Sequence, residues 1–224
     1  MRKFTWLIFL VLLVPFVLSA CHQGMVSQIR GSGKRVLEKR QIPAFTSIET
    51  NGAFMITVTC QKEPTLEIEG DDNVLPLVTT EVKNNVLHLT NSKGYSVSEP
   101  VKFKITVPNL EGLSVSGAGK IDIKEMKSDT FAIDSEGAPY ITVAGDTKVL
   151  NIDSNGAGKI DTYNLRASKG TVECNGATIV DLFVADELDV KVNGPSTVTY
   201  KGDPVVNKNI NGPGRVERRA SEGA

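Results

Sequence analysis

The chain has 224 residues, a net charge of −1 at pH 7 and an aromatic content of 6%. That length allows one sizeable domain or two small ones, and the balanced charge gives no electrostatic footprint for nucleic acid or for an acidic membrane surface. With 20 glycines, plentiful Val, Ile and Thr, and no long 3.6-period segment after residue 25, the composition indicates an all-β protein.

Arg2 and Lys3 precede an apolar run from Phe4 to Leu18, which ends in Leu18-Ser19-Ala20-Cys21. A basic start, a short apolar core and small residues are the features of a secretory signal peptide. The run is also shorter than the ~20 residues of a spanning helix. The Leu-Ser-Ala-Cys ending resembles a bacterial lipobox, and that resemblance implies acylation of Cys21 as the mature N-terminus. With His22 rather than Asp after the cysteine, it implies the outer membrane. Residues 1–20 are thus expected to be a lipoprotein signal peptide, and Cys21 the membrane anchor of a cell-envelope protein. Residues 21–35 are polar and glycine-bearing and are expected to form a flexible tether. Residues 36–219 are expected to fold, with 220–224 as a tail.

Phe45 to Cys60 carries a pattern that returns later in the chain: Ile48, Asn51-Gly52-Ala53, Ile56, Val58. Before it returns, residues 66–107 read as inserted strands. Leu66-Glu67-Ile68-Glu69 alternates, Val78 to Val82 is a candidate strand, Lys83-Asn84-Asn85 is a hairpin signal, and Val86 to Leu89 alternates again. Tyr95 to Pro100 reads as a polar loop, and Val101 to Val107 as a half-buried strand closed by Pro108. The insertion is expected to be antiparallel and to cap one end of a repeat stack.

From Leu113 to Glu217 the pattern repeats with anchors Gly117, Gly137, Gly156, Gly176, Gly194 and Gly212, at spacings of 20, 19, 20, 18 and 18 residues. Four places after each anchor, Gly52 included, stand Ile56, Ile121, Ile141, Ile160, Val180, Val198 and Val216, all β-branched. The next place is always polar. Four places before stand Ile48, Leu113, Ile133, Ile152, Val172 and Val190, with Lys208 as the exception. Because strand side chains alternate faces, these columns are apolar inside and polar outside. One ~19-residue rung cannot bury its apolar face alone, whereas stacked rungs can. The expected fold is therefore a parallel β-helix, or β-solenoid. A β-sandwich is the rival, but it does not require one residue type at one offset in every repeat. Asn51, Asn155, Asn175, Asn193 and Asn211 precede their glycines and are expected to form a corner ladder. Cys60 and Cys174 fall on inward positions of distant rungs and are expected to be unpaired core residues.

The Phe45-Thr46-Ser47-Ile48 start, Leu66-Glu67-Ile68-Glu69-Gly70-Asp71-Asp72-Asn73, Thr80 to Asn85, Leu87-His88-Leu89, Val107-Pro108-Asn109-Leu110, Ser116-Gly117-Ala118-Gly119 and Asn211-Gly212-Pro213-Gly214 resemble, in order and combination, the putative auto-transporter adhesin, head GIN domain family. The resemblance spans about Val36 to Arg218. It implies a bacterial envelope protein with a solenoid-like fold, often a lipoprotein, and it brings no catalytic residue set.

Two outward columns offer the remaining chemistry. Asp134, Asp153 and Glu173 stand three places before successive anchors. Adjacent rungs would set them about 5 Å apart, where like charges raise a pKa or recruit a cation. Asp122, Asp161 and Asp181 form the other column, with Thr142 between the first two. A calcium-stabilised module, or a carbohydrate-active enzyme using clustered carboxylates beside Arg or Lys, are the alternatives to a solvated outer face. Gly-Ala-Gly-Lys-Ile-Asp, at Gly117–Asp122 and Gly156–Asp161, has neither the period nor the following helix of a cation or phosphate loop. His88 is expected to face solvent, and Arg215, Arg218 and Arg219 to form a basic end surface. The reading is a non-catalytic, adhesin-like or structural protein, without a cofactor, that meets a surface glycan or protein.

Overall fold

The computed structural model describes residues 28–219; residues 1–27, Cys21 among them, and the tail lie outside the described residues. The chain begins with β1 (Ile29–Arg30) and β2 (Arg35–Arg40). Next come β3 (Ser47–Asn51) and β4 (Met55–Thr59) on either side of Gly52, then β5 (Thr65–Asp71) and a single 3-10 turn. β6 (Val78–Lys83), β7 (Val86–Asn91), β8 (Tyr95–Ser96) and β9 (Lys102–Thr106) complete the insertion. The repeats give β10 (Gly112–Gly117), β11 (Lys120–Gly137), β12 (Tyr140–Ser154), β13 (Lys159–Cys174) and β14 (Ile179–Val192). β15 (Thr197–Lys201), β16 (Val205–Ile210) and β17 (Arg215–Arg218) end the stack.

The fold is a β-solenoid of about five turns. Successive rungs pair in parallel at the register that the columns predict: Ile121 lies opposite Ile141, Ile160 opposite Val180, and Val180 opposite Val198. These columns are fully buried and form one continuous core. The Gly52 rung rejoins the stack across the insertion. Leu113 of β10 pairs with Ile48 of β3, and Ile121 of β11 with Ile56 of β4.

Two expectations are corrected. The insertion is not purely antiparallel: β7 runs parallel to β3, and β9 parallel to β4. Leu87, Leu89, Phe103 and Ile105 bury the same inward parity as a repeat does, so these strands complete a further rung. The antiparallel partners are β6 on β7, and β5 between β2 and β9. The β6–β7 turn places Asn84 and Asn85 at φ 50° and 64°, the left-handed pair that a two-residue hairpin needs. Phe54 and Phe103 meet edge to face under this cap, with ring centroids 5.2 Å apart.

The second correction concerns the tether. Of residues 21–35, residues 28–35 are part of the fold. β1 pairs with β8, so Tyr95 and Ser96 are not free loop. Ser32 donates its backbone N–H to Asn73 Oδ1 at 2.9 Å, and Gly33 to Asp71 Oδ2 at 2.9 Å. Short polar residues there find backbone partners in the Asp71-Asp72-Asn73 turn.

At the anchor corner the backbones of neighbouring rungs stack. A Cβ at Gly117 would stand 2.6 Å from the Gly52 carbonyl oxygen, and at Gly176 1.9 Å from that of Gly156. Glycine is required there by close approach. Only some anchors, such as Gly137 (φ 107°), also hold a left-handed φ. The expected ladder forms over four asparagines: Asn175 Nδ2 donates to Asn155 Oδ1 at 2.9 Å, Asn193 to Asn175 at 2.6 Å, and Asn211 to Asn193 at 3.0 Å. Behind it the buried Ser196 and Thr178 hydroxyls donate to the Gly176 and Gly156 carbonyls, at 2.7 and 3.2 Å, so the corner's backbone acceptors are satisfied.

Candidate functional site

The two carboxylate columns are in register as expected but do not converge. Asp134 lies opposite Asp153, and Asp153 opposite Glu173. The next rung presents Lys191, whose Nζ is 2.7 Å from Glu173 Oε1 and holds that carboxyl below its usual range. Asp153 carries the strain of the column. Desolvation, then Glu173 and Asp134, push its carboxyl up, while the Asn155 amide donates to it at 3.0 Å. The other column is neutralised piece by piece. Asp122 takes a hydrogen bond from Thr142 at 3.0 Å and lies 3.0 Å from Lys124 Nζ. Asp161 accepts the Tyr163 N–H at 3.2 Å. Asp181, almost wholly buried, meets Lys159 Nζ at 3.2 Å.

Among the described residues no three His, Cys, Asp or Glu side chains, Asp134, Asp153 and Glu173 included, converge to hold an ion. Parallel register spaces them along a flat face, where Lys191 and Asn155 take up their charge and lone pairs. An enzyme would need two or more of these carboxylates in one groove beside a cation. Of the three, Glu173 lines a depression, together with Asp189, Lys191 and Lys208.

The other singled-out residues have structural neighbours. His88 faces outward between the buried Leu87 and Leu89 and is partly covered there, with Nδ1 3.4 Å from Glu49 Oε2. Cys60 and Cys174 are buried and unbonded, and burial pushes both thiols up to about 11. At the C-terminal end, Arg218 pairs with Asp203 at 2.8 Å, Arg215 with Glu217 at 3.5 Å, and Arg219 packs 5.2 Å from the Tyr163 ring centroid.

A more voluminous concavity lies elsewhere along the stack. Each long strand bends at a second corner, opposite in the rung to the anchor glycines, and the ladder slips there. The slips fall between Ile123 and Met126, Thr142 and Ala144, and Thr162 and Arg166. Glu125 takes φ 56° in the first, as residues in β-bulges do. Beyond this corner a groove of about 670 Å³ runs along the stack. One wall is the in-register series Lys127, Asp146, Arg166 and Phe183. On the other rim Lys148 Nζ lies 2.7 Å from Asp129 Oδ1. Between them the floor is made of small residues, Ser128, Thr147, Ala167 and Ser168. Ser128 and Thr147 hydroxyls are 3.3 Å apart, and Thr147 also donates to the Val149 carbonyl at 3.2 Å.

Column counting from the glycines does not find this groove, although the sequence carries its trace. From the anchor to the wall column takes 10, 9 and 10 residues in the rungs of Gly117, Gly137 and Gly156, but 7 in those of Gly176 and Gly194. Most of the unevenness in repeat length thus falls at the bulged corner, since the remainder of each rung takes 10, 10, 10, 11 and 11 residues. The long rungs push a wall outward, and the short rungs end it at Phe183.

Comparison with known proteins agrees with this architecture. A family model described as putative auto-transporter adhesin, head GIN domain, matches residues 44–204. The fold is similar to a crystal structure of a putative adhesin from Bacteroides fragilis, with a TM-score of 0.68, 24% identity, and coverage of 85% of this chain and 100% of that one. A putative adhesin from Parabacteroides merdae matches with a TM-score of 0.52 and 19% identity, over 86% of this chain and 99% of that one. A putative lipid binding protein from Parabacteroides distasonis matches with a TM-score of 0.51 and 18% identity, over 86% of this chain and 100% of that one. No protein with a curated description matches the sequence.

Proposed function

Because the chain belongs to the putative auto-transporter adhesin, head GIN domain family, we propose that it is a lipid-anchored, non-catalytic binding protein of the bacterial envelope, held to the outer membrane through Cys21. The observation that carries this reading is that Glu173 and Asp181, one from each carboxylate column, are paired to lysines of neighbouring rungs, Lys191 and Lys159. A catalytic pair needs carboxylates left to a substrate.

The anchor and the fold suit one another. Seven residues, 21–27, join Cys21 to Gln28, and such a length spans at most about 25 Å. Gln28 leads into β1, which is tied to the cap through Asn73 and β8. An anchor at Cys21 keeps the capped end near the bilayer and presents the later rungs, with the groove, away from it.

Labelled palmitate tests the anchor. The wild-type chain, expressed in a host that processes lipoproteins, is expected to take up label and to sediment with membranes; Cys21→Ala is expected to lose both. Equal labelling of the variant overturns the anchor. The binding role is tested separately by adhesion of expressing and non-expressing cells to glycan-coated and protein-coated surfaces. Equal adhesion on every surface overturns it.

A further inference from the structure

We propose that the groove beyond the bulged corner is a binding site for a linear oligosaccharide, with Asp146, Arg166 and Phe183 as its principal contacts. The proposal rests on the binding-protein reading and specifies its ligand class.

Four features of the groove select this chemistry. The first is the mixture of donors and acceptors. Lys127, Asp146 and Arg166 stand in register on three successive rungs. Among the described residues, none of these three side chains makes an ion pair or a side-chain hydrogen bond, whereas the opposite rim is already paired as Lys148–Asp129. Lys and Arg only donate, and an ionised Asp only accepts. A donor, an acceptor and a donor at rung spacing suit neighbouring sugar hydroxyls, each of which both gives and accepts a hydrogen bond. They suit a phosphate or sulfate poorly, because Asp146 sits between the two cations.

The second is an apolar plate at one end. Phe183 follows Arg166 in register and lines the groove, half-buried. A flat aromatic face takes the C–H face of a pyranose, while polar groups fix the hydroxyls. The third is length. The wall column covers three rung steps, about 14 Å at the 4.7–4.9 Å strand spacing, and an extended pyranose chain advances by close to one rung per sugar. Successive sugars therefore meet the same wall and floor.

The fourth is what the groove lacks. Its rungs are paired to neighbours on both sides, so no backbone edge is open for a peptide to add as a strand. Its floor carries the Ser168 hydroxyl, which an acyl chain would leave without a partner.

The test uses the full-length protein in detergent micelles and immobilised neutral and uronate-containing tri- and tetrasaccharides, with an array of extended peptides alongside. Affinity for a saccharide is expected to fall at least tenfold in Arg166→Gln, Asp146→Asn and Phe183→Ala. Asp134→Asn, on the far column, is expected to bind as wild type. All four side chains are exposed or half-exposed, and unchanged melting temperatures show that the variants fold. Saccharide binding that the groove variants leave intact overturns the site but not the binding role. Peptide binding that they abolish, with no saccharide bound, overturns the ligand class while leaving the site and role. No binding to either array, together with equal adhesion of expressing and non-expressing cells, overturns both the proposal and the reading beneath it.

Discussion

Gly156 lies directly against Gly137: a Cβ on Gly156 would stand 1.9 Å from the Gly137 carbonyl oxygen and 2.7 Å from its nitrogen. The obstacle is backbone on the next rung, so no side-chain rotation relieves it. Gly156→Ala must therefore separate two rungs or tilt one. An overpacking cost of about 3 kcal/mol is expected, read as a lower urea midpoint. At Gly212, on the last rung, the nearest such atoms are 4.0 Å away and only the left-handed φ of 129° resists a side chain. Gly212→Ala should cost less, about 1–2 kcal/mol. Equal losses at both positions would contradict the close-stacking account of the corner.

The asparagine ladder gives a graded expectation. Asn175 donates to Asn155 and accepts from Asn193, whereas Asn211 only donates, to Asn193. Asn175→Ala breaks two bonds and leaves two exposed amides to water, a loss of about 1–2 kcal/mol. Asn211→Ala breaks one and should lose about half as much. Denaturant midpoints measure both; a larger loss at Asn211 than at Asn175 would show that the ladder is not the source of the effect.

Asp153 should make the fold respond to acid in an unusual direction. Its carboxyl is pushed up by desolvation, Glu173 and Asp134, so the folded state binds that proton more tightly than the unfolded chain does. Its contribution is unfavourable above the raised folded value and is relieved as pH falls through that value towards the ordinary 3.8. Asp153→Asn should remove the repulsion at neutral pH while still accepting the Asn155 N–H. A gain of under about 1 kcal/mol is expected, given the solvent exposure. The gain should shrink in acid. Melting curves at pH 7 and at pH 4 measure it, and a variant less stable than wild type at pH 7 refutes the account.

Lys208 stands in register with the buried Val190 but is itself exposed, on the last rung. It stands on β16, whose outer edge ends the stack beside exposed Val205. A lysine on an edge strand discourages another strand from pairing there. Lys208→Val restores the apolar column on an open edge and is expected to produce concentration-dependent dimers by sedimentation velocity, with wild type monomeric over the same range. A monomeric variant at every concentration removes the gatekeeping role.

The two cysteines illustrate how far column counting reaches. Cys174 stands two places before Gly176 and Cys60 on the parity of Ile56 and Val58, and both are buried and unbonded. Parity alone decided them, because a strand position that alternates with outward polar residues has only one other side to face. The charge pairs were harder to read. Glu173 and Lys191 share a column, but Asp181 meets Lys159, which stands two places earlier in its rung than Asp181 does in its own. Such diagonal contacts depend on side-chain reach as well as on register.

The sequence by itself determined the solenoid, the anchor corner and the core, because a repeated glycine, a β-branched column and an alternating polar column leave stacked parallel rungs as the arrangement that buries every copy alike. Tertiary structure alone decided three things. It set the Gly52 rung beside Gly117, since β7 and β9 supply a further rung on its other face. It tied residues 28–35 into the cap through the Asp71–Asn73 turn. It also built the groove, because bulges between Ile123 and Arg166 shift the register by different amounts in successive rungs. Lys127, Asp146, Arg166 and Phe183 align only once those shifts are in place, and no constant offset from the anchor glycines brings them together.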